Sequence, residues 1–216
     1  MYDVDLFETP VATIQALHAS GKKVVGYFSA GSSENWRPDF SSFLASDMGN
    51  NLAGWAGERW LDTQSSNVRT IMLARLDLAV SKGFDGVEPD NVEGYANNSG
   101  FTLTGATQLK FNRFLATEAH NRGLAVALKN DVDQVVALSP DFDFAVNEQS
   151  HEFNECDVYA VFINNNKPVF NAEYNSLYVT DASARQALFT DAQARKFHTL
   201  VLPLALDDSF RYTSEP

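Results

Sequence analysis

Short apolar runs that read as strands alternate with segments whose apolar residues recur at helical spacing, and nearly every strand-like run stops on a polar or charged residue. Alternation of this kind confines a chain to sheets whose parallel strands are joined by helices. Strand-like runs fall at residues 2–7, 23–30 (KVVGYFSA), the end of 54–62 (GWAGERWLD), 83–91, 125–129, 142–146, 169–172 and 197–206. Helices are expected from Pro10 to Gly21 with Thr9 as cap, over 67–82 (Val68, Ile71, Met72, Leu76, Ala79), 105–122, 132–138, 153–164 and 183–195. Roughly eight strands alternating with helices predict an α/β protein, a (β/α)8 TIM barrel as one domain over 1–216. A doubly wound open sheet is the alternative. No G-x-G-x-x-G follows the first strand, so a dinucleotide site has no support.

In a barrel the carboxyl ends of the strands meet at one face, where sites are built. Here those ends carry Ser29, Asp62, Asp90-Asn91, Lys129-Asn130-Asp131, Asn147-Glu148 and Glu173. The stretch Gly83-Phe84-Asp85-Gly86-Val87-Glu88-Pro89-Asp90-Asn91 is the sharpest case. Glu88 and Asp90 are two apart, which points both to one face of a strand. Two like charges so placed are costly to bury unless a site uses them. Pro89 lacks a backbone donor, so regular pairing is expected to end there.

Two carboxylates on different strands, with aromatics around them, suit glycoside hydrolysis: one protonates the leaving oxygen, the other attacks the sugar carbon or activates water. Tyr27, Trp36, Trp55, Trp60, Tyr95 and Tyr174 are the candidate stacking faces for sugar rings. A formal net charge of −12 argues against a nucleic-acid partner and is compatible with a cationic ligand. No apolar run approaches a membrane span. The four histidines are scattered with no H-x-x-x-H pair, so no metal site is assigned, although Asp and Asn oxygens leave Mg²⁺ or Ca²⁺ open. The single cysteine, Cys156, permits no internal disulfide.

The segments YFSAGSSENWRPDF (27–40), GWAGERWLD (54–62), GFDGVEPDNVEGY (83–95), LKND (128–131), FDFAVNEQ (142–149) and VFNAEY (169–174) closely resemble glycoside hydrolase family 114, in order and over nearly the whole chain. The resemblance implies a secreted endo-α-1,4-polygalactosaminidase on a TIM barrel, cleaving galactosaminogalactan-type polymer without a cofactor. It implies a catalytic Asp and Glu, falling on Asp90 of VEPDN and Glu148 of NEQ. Asp90 is then the expected nucleophile and Glu148 the acid/base of a retaining route. Asp62, Glu88, Asp131 and Glu173 are expected to pair with cationic amines, and Lys129 to bond a hydroxyl or hold a carboxylate ionised. Ser29, Asn91 and Asn147 complete the expected substrate contacts, with Tyr27, Trp36, Trp60, Tyr95 and Tyr174 stacking. Members usually carry a further N-terminal segment and a secretion signal; neither is in this chain, so a trimmed start is expected. The family also tends to have Cys directly after NEQ, where this chain has Ser150, which leaves Cys156 without that disulfide partner. A non-catalytic carbohydrate-binding barrel and a metal-dependent hydrolase or lyase at the same face are the alternatives.

Overall fold

The computed structural model describes residues 1–214. The chain is a mixed α/β protein that divides into two compact units, Met1–Lys129 and the described residues from Asn130 onward. In the first, β1 (Tyr2–Asp5) leads through α1 (Val11–Ala19) to β2 (Val24–Ser29). Three short strands follow, β3 (Ser32–Glu34), β4 (Met48–Asn51) and β5 (Glu58–Leu61), then α2 (Ser66–Lys82), β6 (Gly86–Asp90), α3 (Gly105–Asn121) and β7 (Ala125–Lys129). Strands β1, β2, β6 and β7 are neighbours in that order and parallel. Most of β2 (VVGYFS) is buried on both faces, as a parallel strand between helices requires.

Helix α2 shows why these segments fold as they do. The Ser65 side chain accepts hydrogen bonds from the Asn67 and Val68 amides, and Gly83 (φ 88°) closes the far end in the left-handed region. Between them Val68, Ile71, Met72, Leu76 and Ala79 form one buried stripe. Each large apolar side chain on it contributes roughly 1.5–3 kcal/mol relative to exposure. Arg75 lies in the same stripe and is buried. Its guanidinium bonds the Asp39 carboxylate at 2.8 Å and the Ser29 carbonyl at 2.6 Å, fixing the carboxyl end of β2 to the helix.

The expected third barrel strand is a correction. β5 forms as placed, but it belongs to a separate antiparallel sheet of order β3-β5-β4. β2 pairs directly with β6, from Val25↔Gly86 to Ser29↔Asp90, which leaves no slot between them. That register also runs through Pro89, so the proline does not end the ladder on the β2 side. The helix cap expected at Thr9 is absent as well: α1 starts at Val11 with no side-chain cap. The Asp5 carboxylate takes the Phe7 and Glu8 amides instead, forming a turn before the helix.

The second unit contains α4 (Val135–Leu138), β8 (Phe144–Glu148), α5 (Ala160–Asn164), β9 (Val169–Glu173), α6 (Leu177–Thr180), α7 (Ala182–Arg195), β10 (Phe197–Val201) and β11 (Tyr212–Thr213). β8, β9 and β10 are parallel neighbours, and β11 returns antiparallel on β10. β10 stops at Val201 rather than near 206, because Leu202 is followed by Pro203, which has no amide to continue a ladder. The helix expected over 153–164 is a 3-10 turn, Cys156–Tyr159, before the short α5. Among the described residues no helix is long and apolar enough to cross a membrane.

Candidate active site

The carboxyl ends of β2, β6 and β7 lie side by side in the first unit, and they bring Tyr27, Glu88, Asp90 and Lys129 together. Glu88 is buried, and the Lys129 ammonium sits 2.6 Å from its Oε1 and 3.7 Å from Asp90 Oδ1. Burial opposes the charge on Glu88, but Lys129 and a hydrogen bond from Asp3 outweigh it and hold its carboxyl below the ordinary glutamate value. Asp90 is half-buried and so remains reachable. Its Oδ2 accepts a hydrogen bond from the Tyr27 hydroxyl at 3.1 Å. Burial, and then the Asp90 charge, push the Tyr27 hydroxyl far up, so it stays a donor. Lys129 Nζ also lies 5.8 Å from the centre of the Tyr27 ring.

Behind Asp90 the backbone is tightly fixed. Its carbonyl accepts the amides of Ala30 (2.8 Å) and Gly31 (3.1 Å), and Asn91 turns into the left-handed region (φ 58°). A Cβ on Gly31 would lie 1.7 Å from the Asn91 carbonyl oxygen, so only glycine fits there. Asn91 Nδ2 donates to Ser29 Oγ at 2.9 Å, Ser29 and Ser32 share a 2.6 Å bond, and Ser32 donates to Glu58 Oε2 at 2.6 Å. Burial pushes the Glu58 carboxyl up, and the charges of Glu34 and Asp90 add to this. Sequence reasoning missed Glu58, although a signal existed. It lies two residues from Trp60 on β5 and shares its buried face, an unusual place for an acid.

In the second unit Glu148 ends β8. Its amide donates to Asn130 Oδ1 at 3.0 Å, and its Oε1 accepts the Tyr174 hydroxyl at 2.5 Å. Asn147 faces Asn171 across the β8–β9 register, and Asn171 Nδ2 donates to Asn147 Oδ1, Ser150 Oγ and Glu173 Oε1 at 2.6–3.2 Å. Glu173 is fully buried, also takes the His151 amide at 2.9 Å, and is pushed up by burial.

The expected substrate contacts differ in how far they are buried. Ser29, Glu88, Asp131, Asn147 and Glu173 are buried: Ser29 bonds Ser32, Glu88 accepts from Lys129, Asn147 and Glu173 accept from Asn171, and the Asp131 carbonyl accepts the Gln134 amide in a local turn. Lys129 is likewise buried against Glu88 and lies beside Asp90. Trp60 is only 5% exposed, and a Cβ on Gly94 would lie 3.4 Å from its ring. Trp36 is exposed, while Tyr27, Asp62, Asn91, Tyr95 and Tyr174 are half-buried. Asp62 closes a turn by accepting the Gln64 amide.

Ser150 Oγ lies 3.3 Å from Cys156 Sγ, six positions away, with both residues buried. Ser150→Cys is therefore expected to close a disulfide with Cys156, adding about 2 kcal/mol by the loop-entropy relation. Thiol titration under denaturing conditions, with and without reductant, checks the bond, and urea unfolding checks the gain. Two free thiols in the oxidised variant would count against it.

The sequence profile of Glycoside-hydrolase family GH114 matches residues 1–215. Among solved structures, the crystal structure of Aspergillus fumigatus Ega3 in complex with galactosamine is 46% identical, with a TM-score of 0.92 over 98% of this chain and 86% of that one. The glycoside hydrolase domain of PelA from Pseudomonas aeruginosa is 14% identical, with a TM-score of 0.72 over 96% of this chain and 88% of that one. That second likeness is one of fold. A search of curated proteins finds no match.

Proposed function

The chain belongs to glycoside hydrolase family GH114, and on that footing we propose that it is an endo-acting, retaining α-1,4-polygalactosaminidase with Asp90 as nucleophile and Glu148 as acid/base. One observation carries the assignment of Asp90. Of two carboxylates on one face of β6, Glu88 is buried and neutralised by Lys129, and Asp90 alone is left open at the strand end. The Lys129 ammonium 3.7 Å from its Oδ1 and the Tyr27 hydroxyl 3.1 Å from its Oδ2 hold the Asp90 carboxylate in place for attack. Glu148, at the end of its own parallel strand, is held by Tyr174 and Asn130 and would protonate the leaving oxygen, then take a proton from water. The architecture that goes with this reading is a (β/α)8 TIM barrel. Parallel strands joined by helices within each unit support it.

The substrate we propose is galactosamine-rich polysaccharide, whose free amines are cationic and drawn to a chain of net charge −12. The Ega3 complex with galactosamine supports this ligand class. A polymer of this kind places the protein outside the cell, as a secreted enzyme. The test is incubation with partly deacetylated α-1,4-galactosamine polymer, following new reducing ends and their anomer by NMR. Endo cleavage with an α product is expected. A β product would mean inversion, and binding without cleavage would mean a non-catalytic barrel.

Tyr174 gives a smaller effect of its own. Tyr174→Phe removes the hydroxyl that bonds Glu148, and a bond to a charged group contributes about 1.5–3 kcal/mol. The expected result is a fall in kcat of about tenfold or more, with KM little changed. An unaltered kcat would detach Tyr174 from catalysis.

A further inference from the structure

The antiparallel sheet β3-β5-β4 carries a second concavity that the proposed chemistry does not use. It has a volume of about 540 Å³, and its lining includes Asn35, Phe40, Asn51, Trp55, Gly57 and Arg59. A volume in this range suits a small ligand such as a sugar ring. Trp55 is 57% exposed, although its backbone is firmly tied: its amide bonds the Leu52 carbonyl, and its carbonyl accepts the Glu58 amide. Gly57 turns the loop at φ 94°, a conformation that side-chain-bearing residues rarely adopt. The loop thus holds a large ring open to water on a fixed backbone.

The polar groups around that ring are of one kind. Asn35 and Asn51 are exposed amides. The only charged lining residue is Arg59, two of whose donors are spent on the Met48 and Gly49 carbonyls. Glu58, next in sequence, turns away to Ser32. The aromatic face and the amides suit a sugar ring, and the Arg59 charge, with no carboxylate in the lining to balance it, disfavours a free ammonium group there. This is the reverse of the surroundings of Asp90. The two places belong to the same compact unit: Gly31 touches Asn91, and Asn35 lies four residues further on, just past the end of β3, an extended path of about 13 Å.

We propose that the hairpin pocket is a distal subsite for an uncharged pyranose of the same polymer, a neutral hexose or an N-acetylated hexosamine, several rings from the bond being cleaved. The proposal rests on the galactosaminidase reading given above. Long, partly acetylated chains are then anchored at the hairpin while a deacetylated stretch lies at Asp90.

The test uses calorimetric titration of the inactive Asp90→Asn variant, with and without Trp55→Ala, against long oligogalactosamines of equal length, partly acetylated or fully deacetylated. Trp55→Ala should weaken binding of the partly acetylated oligomer about tenfold and leave the deacetylated one unchanged. Trp55→Phe, which keeps an aromatic face, should restore most of the loss. Equal affinities with and without Trp55 would overturn the subsite. Equal losses on both oligomers would overturn its preference for an uncharged sugar. No binding of either oligomer by Asp90→Asn itself would overturn the galactosaminidase reading instead.

Discussion

Asp90→Asn is expected to lower turnover of galactosamine polymer by at least about a thousandfold while the thermal transition stays close to that of the parent chain. The substitution keeps the shape of the side chain, so Tyr27 can still donate to the amide oxygen and the Asp90 carbonyl still receives Ala30 and Gly31. What disappears is the negative oxygen that would attack the sugar carbon. The result is read as single-turnover release of reducing ends beside a circular-dichroism melt. Activity within tenfold of the parent would reject Asp90 as nucleophile. A collapse of the melt would show instead that its role is structural.

Lys129→Met has the largest expected effect on stability. Glu88 is 4% exposed, and Lys129 is the cation that keeps it ionised. Removing one partner of a buried pair leaves an uncompensated charge and costs about 3–5 kcal/mol. The pH dependence follows from the direction of the shift. In the parent chain the Glu88 pKa is depressed, so its contribution is present above the ordinary glutamate value and is lost as pH falls through the folded value. In Lys129→Met only the hydrogen bond from Asp3 still opposes burial, and the Glu88 pKa rises. The deficit should then be greatest near neutral pH and shrink on acidification, as Glu88 takes up a proton. Urea unfolding at pH 7.5 and at pH 4.5 checks this. A deficit equal at both pH values would place the damage in packing rather than charge. The double variant Lys129→Met/Glu88→Gln should recover much of the loss at neutral pH, because both charges go together.

How much of this could be read from the sequence depends on the range of the interactions. Strands β2 and β7 were legible because each is an apolar run buried on both faces and closed by a polar residue, and β6, β8 and β9 because each passes from apolar residues to a carboxylate at its end. The antiparallel sheet was not. β3 reads SSE and β4 reads MGNN, too short and polar to show any alternation, so β5 was placed alone in the barrel series. The spacing of two predicts that Glu88 and Asp90 share a face, but it cannot say which one water reaches. That depends on Lys129, 41 residues from Glu88. Trp60 and Trp55 show the same limit. Both are tryptophans in one short motif, yet one is 5% and the other 57% exposed, and the difference lies in what packs on them from elsewhere.

Gly31 leads somewhere further. A position that tolerates no side chain, pressed on the carbonyl next to the proposed nucleophile Asp90, freezes the floor on which bond cleavage would occur. The stem between β4 and β5 is under no such restraint at Trp55, whose side chain stands in water. Directed evolution of polymer preference should accordingly tolerate variation at the rim and almost none beneath it: a library randomised at residue 55 should yield folded enzymes of altered selectivity, whereas one randomised at residue 31 should return glycine.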